Sequence, residues 1–137
     1  MKGVIFFSEP EHLSIWGDPI AWTNTIDKMK YDFYIMIDQQ RIVPNWTETK
    51  SITGHRVDSF SEALDLLKKN YPQCKQVYFT PNGNTDFIEY KEPNNVVYIF
   101  GSDSNGLDYN NADYNVKLPA KDLWAVECLS AIWGRFL

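Results

Sequence analysis

An α/β fold, a mostly parallel sheet flanked by helices, is what the sequence predicts, and three observations carry that expectation. Runs apolar at nearly every residue, at 3–7, 33–37 and 96–100, mark strands covered on both faces rather than half-exposed ones. Segments with apolar residues at helical spacing fall between such runs, the alternation that builds parallel sheets. At 137 residues, 44% hydrophobic and 23% charged, the chain has the size and balance of one globular unit. No internal repeat, linker or low-complexity tract divides it, so a single domain over residues 1–137 is expected.

The elements follow in order. Gly3-Val4-Ile5-Phe6-Phe7 is a buried strand that stops at Glu9-Pro10. Asp18-Pro19 supplies a helix N-cap and a first-turn proline, and Trp22, Ile26 and Met29 then share one helix face. Phe33 to Ile37 is a second buried strand. The polar stretch from Gln39 to Ser51, with Pro44 inside it, reads as a long loop, and Ile52 to Val57 as a weak strand. Ser59-Phe60-Ser61-Glu62 is a capping box, in which serine oxygen and glutamate each satisfy a free backbone amide. Phe60, Ala63, Leu64 and Leu67 form the buried face of that helix, and Pro72 closes it. Val77 to Thr80 is a strand entering the turn Pro81-Asn82-Gly83. Val96 to Phe100 is another, ending at Gly101, and Val116 to Pro119 is a short strand before a helix from Leu123.

That last helix is apolar nearly all round. Between Leu123 and Leu137 only Glu127, Ser130, Gly134 and Arg135 are not apolar. Such a helix must be buried on almost every side, which a small domain rarely achieves alone. A homodimer through the C-terminal helix is expected, anchored by Trp124 and Trp133. Five tryptophans and an aromatic content of 15% fit that expectation.

Composition excludes several classes of function. The net charge of −5 argues against a broad, phosphate-driven nucleic-acid binder, while leaving room for a small local patch. Guanidinium chemistry has few positions, because Arg41, Arg56 and Arg135 are the only arginines. Cys74 and Cys128 cannot build a disulfide framework or a four-thiolate metal site and read as reduced, buried thiols, and no metal is expected. No long apolar run or cleavable leader is present, so membrane spanning and secretion are not expected and the cytosol is the default compartment. Asn45-Trp46-Thr47 fits a glycosylation acceptor but carries little weight without a secretory signal.

The candidate site is the loop Gly101-Ser102-Asp103-Ser104-Asn105-Gly106-Leu107, directly after a buried strand. Parallel sheets bind ligands outside the carboxyl ends of their strands, where small residues let the backbone approach. The spacing is neither the dinucleotide fingerprint nor a phosphate loop. It also lacks the glycine position and closing glutamate of a calcium-binding loop.

The order of these features resembles the SPOUT, or α/β-knot, methyltransferases. Their pattern is an apolar strand, Phe-Gly, an acidic residue, Gly-Leu, a spacer, then Ile-Pro before the final helix. Phe100, Gly101, Asp103, Gly106, Leu107, Leu118 and Pro119 match in order and spacing, with Asp103 for the commoner glutamate and Ala112-Asp113 in the spacer. Glu9-Pro10-Glu11 and Gly17 look like the opening of the small tRNA ribose 2′-O-methyltransferases of this superfamily. Thr80 and Gly83 look like the Thr-x-x-Gly turn before its knot. The resemblance spans almost the whole chain, without a separate RNA-binding extension. It implies a C-terminal trefoil knot, an exception to unknotted connections. It also implies binding of S-adenosylmethionine, with S-adenosylhomocysteine as product, and methyl transfer to an RNA. By resemblance the cofactor would touch Phe79, Thr80, Gly83, Gly101, Asp103, Gly106, Leu107, Leu118 and Leu123, largely through the main chain.

Three family features differ. With Glu9-Pro10-Glu11 and Gly17 in register, Ile15 and Ala21 stand where ribose methyltransferases carry an asparagine and a catalytic arginine. Asp122-Leu123-Trp124 replaces a usual Ser-x-Asn, with Asp122 read as a helix cap. The catalytic residues are therefore unassigned. Arg41 or His55-Arg56 could substitute, as could His12 as a base. The alternative function is a degenerate dimer that keeps the fold and binds without transferring.

Overall fold

The computed structural model describes residues 1–9, 17–47, 52–102, 106–117 and 124–136, and only the main chain of Asp18. Its strands are β1 (Lys2–Phe7), β2 (Phe33–Ile37), β3 (Thr53–Val57), β4 (Lys75–Thr80), β5 (Thr85–Asp86), β6 (Val96–Phe100) and β7 (Tyr114–Lys117). Its helices are α1 (Gly17–Lys28), α2 (Phe60–Asn70) and α3 (Ala125–Arg135). The strands form one sheet in the order β3-β2-β1-β6-β4-β7-β5, and every ladder is parallel.

Alternation along the strands builds two cores. Val4 and Phe6 of β1, Tyr34 and Met36 of β2, and Tyr98 and Phe100 of β6 face α1 and α3. Phe6 stacks on Trp22 of α1 with ring centroids 4.6 Å apart, and Cys128, Leu129 and Ile132 of α3 complete that layer. Ile5, Phe7, Ile35, Ile37, Val97 and Ile99 point the other way, onto Ala63 and Leu67 of α2. The central strands are buried on both faces, which explains why their sequences are apolar throughout.

Most expected elements are present, with informative differences at their ends. β2 and β6 have the expected bounds. β4 begins two residues earlier than its apolar run, because Lys75 and Gln76 pair with Val96 and Val97 of β6. β5 is too short and polar to show in the sequence, and it forms by pairing Thr85 and Asp86 with β7. α1 starts at Gly17, so Asp18, the expected N-cap, lies inside the helix, while Pro19 falls in its first turn as expected. The α2 cap is as expected on one side, the Glu62 amide donating to Ser59 Oγ at 3.1 Å. On the other side Glu62 Oε2 accepts from Asp58 N at 2.9 Å, one residue beyond the capping serine. Gln39 to Thr47, the described part of the expected loop, holds no helix or strand. Cys74 and Cys128 are both buried, as expected.

Candidate functional site

The topology singles out one crevice. The chain leaves β1 toward β2 on one side, whereas it leaves β6 toward β7 on the other, passing β4. β1 and β6 are adjacent, so connections diverge between them, and such a switch point opens a cleft at the carboxyl ends of the strands. Ser8 borders this point. Its amide donates to Ile37 O at 2.9 Å, and its hydroxyl oxygen is buried without a hydrogen-bond partner among the described residues.

On the β6–β4–β7 side the wall is main chain. Thr80 ends β4, and Gly83 N donates back to Thr80 O at 3.2 Å to close the turn. A Cβ on Gly83 would lie 2.4 Å from both Val116 C and Lys117 N, so the turn rests directly on the β7 backbone. Gly101 follows β6 almost as tightly, since a Cβ there would lie 2.8 Å from Leu107 Cβ. Gly106 N donates to Ser102 O at 2.7 Å, and Gly106 takes φ +68°, a left-handed conformation that favours glycine. The 101–107 loop is thus pinched shut at its base.

The structure places Thr80 and Gly83 at and after the end of β4, and Gly101 and Gly106 after the neighbouring β6. Phe79 differs in detail. Its ring is 3% exposed and stacks on Phe100 at 5.7 Å, so it is a core residue and only its main chain can serve a ligand. Leu107 packs toward the α2 core and its carbonyl accepts the Tyr78 hydroxyl at 2.6 Å. Asp103, Leu118, Pro119 and Leu123 lie outside the described residues, as do His12, Ile15 and Asp122. The N-cap position of α3 is Trp124, whose amide donates to Glu127 Oε1 at 2.8 Å.

On the β2–β3 side the wall is charged side chains. Asp38, 1% exposed, follows β2. Its carboxylate accepts Ile42 N at 3.0 Å, Val43 N at 2.8 Å and Arg56 Nη2 at 2.9 Å. Arg56 Nη2 also lies 2.9 Å from Asp58 Oδ1. Burial opposes the Arg56 cation, but its hydrogen bonds to Asp38 and Asp58 and their charges outweigh that and raise its pKa. Arg41 is looser, its Nε 3.8 Å from Asp58 Oδ1 and its side chain 69% exposed. His55 is turned away from this network: its Nε2 is 2.8 Å from the Tyr71 hydroxyl, and burial lowers its pKa.

A separate cavity of about 290 Å³ lies at the amino end of the sheet, among Lys2, Tyr31, Asp32, Glu92, Trp133 and Phe136. Glu92 pairs with Lys2 and accepts the Tyr98 hydroxyl there. None of the sequence-expected site residues lines it. Among the described residues no group of histidine, cysteine and carboxylate side chains could hold a metal ion. Among them, too, no helix is long and apolar enough to cross a membrane.

No family model matches the chain, and no curated protein matches it in sequence. Solved structures do match. The SpoU methyltransferase AviRb from Streptomyces viridochromogenes, in complex with AdoMet, aligns with TM-score 0.68 and 19% identity over 96% of this chain and 55% of its own. An AdoMet-bound rRNA methyltransferase from Sinorhizobium meliloti aligns with TM-score 0.67 and 14% identity over 96% of this chain and 53% of its own. A protein of 2-OH methylation of C/U34 on tRNA aligns with TM-score 0.65 and 14% identity, covering 99% of this chain and 94% of its own. The chain therefore spans about half the length of the first two and nearly all of the third. At these identities the likeness is one of architecture, and the chain carries the fold of the SpoU-type RNA methyltransferases, the SPOUT fold its sequence resembles.

Proposed function

We propose that this chain binds S-adenosylmethionine at the carboxyl ends of β6, β4 and β7 and transfers its methyl group to an RNA. The observation that carries the reading is the glycine-built wall at Thr80–Gly83 and Gly101–Gly106, in a fold shared with proteins solved with AdoMet. A nucleoside gripped by amides and carbonyls needs backbone that can come close, and Gly83 and Gly101 supply it. The described walls fit such a group. By the sequence resemblance, Asp103, Leu118 and Leu123 would complete the site.

When bound, the group supplies a methyl on a sulfonium sulfur. The protein's part is to hold that methyl in line with the acceptor and to keep the acceptor near. For a ribose hydroxyl acceptor, the protein would also have to give the hydroxyl proton a path to solvent or to a side chain. The protein acts in the cytosol as a homodimer through α3, where Trp124 and Trp133 remain 44% and 37% exposed. Trp133→Asp is expected to give monomers in light scattering, and a well-folded dimer of that variant removes α3 from the interface.

One observation favours the second reading, a dimer that binds without transferring. Ala21 of α1 is apolar where a catalytic arginine would stand, and Arg56 is held between two carboxylates. Incubation with methyl-labelled cofactor and total tRNA separates the two. Label in the RNA supports transfer; cofactor binding with no label in any RNA supports the binder.

A further inference from the structure

We infer that Arg41 is a phosphate-contacting residue for the RNA, presented at the carboxyl edge of the sheet by a turn that Asp38 holds rigid. This rests on the proposed RNA methyl transfer and names a residue for its substrate side.

The turn has an unusual design. Asp38 O accepts Arg41 N at 3.1 Å, while the Asp38 carboxylate accepts the next two amides, Ile42 and Val43. Val43 is 1% exposed, and Trp46 Nε1 donates to Tyr34 Oη at 2.9 Å, which anchors the far side of the turn in the core. Arg41 is left at the tip with φ +53°. Non-glycine residues enter that region at a cost, and a turn that needed only the conformation would be served better by glycine or asparagine. Among the described residues the other positive-φ side chain, Lys30, follows the end of α1, where a left-handed residue is ordinary. Arg41 has no helix end to explain it.

The neighbouring charges say which guanidinium is available. Arg56 is 14% exposed and its Nε and Nη2 are held by Asp38 and Asp58, so it cannot turn outward without breaking a buried pair. Arg41 meets Asp58 only at 3.8 Å and is mostly exposed, so exchanging that carboxylate for a phosphate oxygen costs little. A guanidinium also offers the fork that suits phosphate. The placement fits. β2 is two strand spacings from β6, about 10 Å, so Arg41 would meet the backbone beside a nucleotide whose acceptor lies in the crevice. In a chain of charge −5, one well-presented arginine matters more than it would on a basic surface.

The test is filter binding of labelled total tRNA to the full chain over a salt series. Arg41→Gln is expected to weaken binding about threefold to tenfold at low salt and to lower the slope of log affinity against log salt by about 0.7–0.9, one phosphate contact. Asp58→Asn, which removes the carboxylate facing both Arg41 and Arg56, is expected to tighten binding severalfold in the wild-type background and markedly less in Arg41→Gln; an equal gain in both backgrounds overturns the inference. With a measurable methyl-transfer rate, Arg41→Gln raises KM for RNA and leaves kcat nearly unchanged. Wild-type binding with an unaltered slope in Arg41→Gln overturns this inference alone. A wild-type protein that retains no tRNA overturns the RNA reading and this inference with it. Tighter binding by Arg41→Gln also overturns it.

Discussion

The two halves of the sheet's carboxyl edge are built from different materials. Beyond β2 and β3 the edge is held by charge: Asp38, Arg56 and Asp58 form a largely buried ion network that also fixes a turn. Beyond β6, β4 and β7 it is held by main chain, with glycines pressed against neighbouring backbone. The difference shows where each half is vulnerable. The charged half fails when a side chain is removed, and the glycine half fails when one is added.

The largest expected effect is on the charged half. Asp38→Ala leaves two amides and the Arg56 cation without their buried acceptor, and about 3–5 kcal/mol of stability should be lost in urea unfolding. Cofactor binding by the folded fraction should persist, because the other half is untouched. A loss under about 1 kcal/mol would mean that the network is ornamental.

Gly83→Ala comes next. Its methyl would sit 2.4 Å from β7 backbone, which cannot rotate aside, so about 1–3 kcal/mol is expected together with weakened cofactor binding. Normal affinity in a folded Gly83→Ala protein would detach that turn from the ligand. Gly106→Ala should cost less, about 1 kcal/mol, since its methyl meets nothing within 4 Å and only the φ of +68° is strained.

The smallest effect concerns His55. Burial holds its folded-state pKa below the ordinary value, so in acid the unfolded chain binds the extra proton first. Stability from this group is therefore complete above about pH 6.5 and declines as the pH falls below that. His55→Gln should flatten the fall in melting temperature between neutral and mildly acidic pH. An unchanged profile would assign the fall to carboxylates instead.

The same contrast explains what the sequence discloses. Buried strands announce themselves through unbroken apolar runs, and the glycine loops do so through local spacing, so β2, β6 and the turns at Gly83 and Gly101 are readable directly. Asp38 and Arg56 are far apart in the chain and meet only because β2 pairs with β3 in register. In sequence, Asp38 merely precedes the polar loop that begins at Gln39, and Arg56 reads as a candidate catalytic substitute in a weak strand. β5 is invisible for a related reason: its two residues are strand only by virtue of β7. Phe79 illustrates the converse, since family resemblance marks the position while the structure gives its ring to the core.

Calorimetric titration of S-adenosylmethionine and S-adenosylhomocysteine into the wild-type protein and into Gly101→Val tests the central claim most directly. Saturable binding of one ligand per chain, well below millimolar for wild type and lost in a folded Gly101→Val, is the expected result. No heat of binding from either ligand at millimolar concentration, or equal affinity in the variant, would contradict a cofactor site built on the glycine half of the sheet.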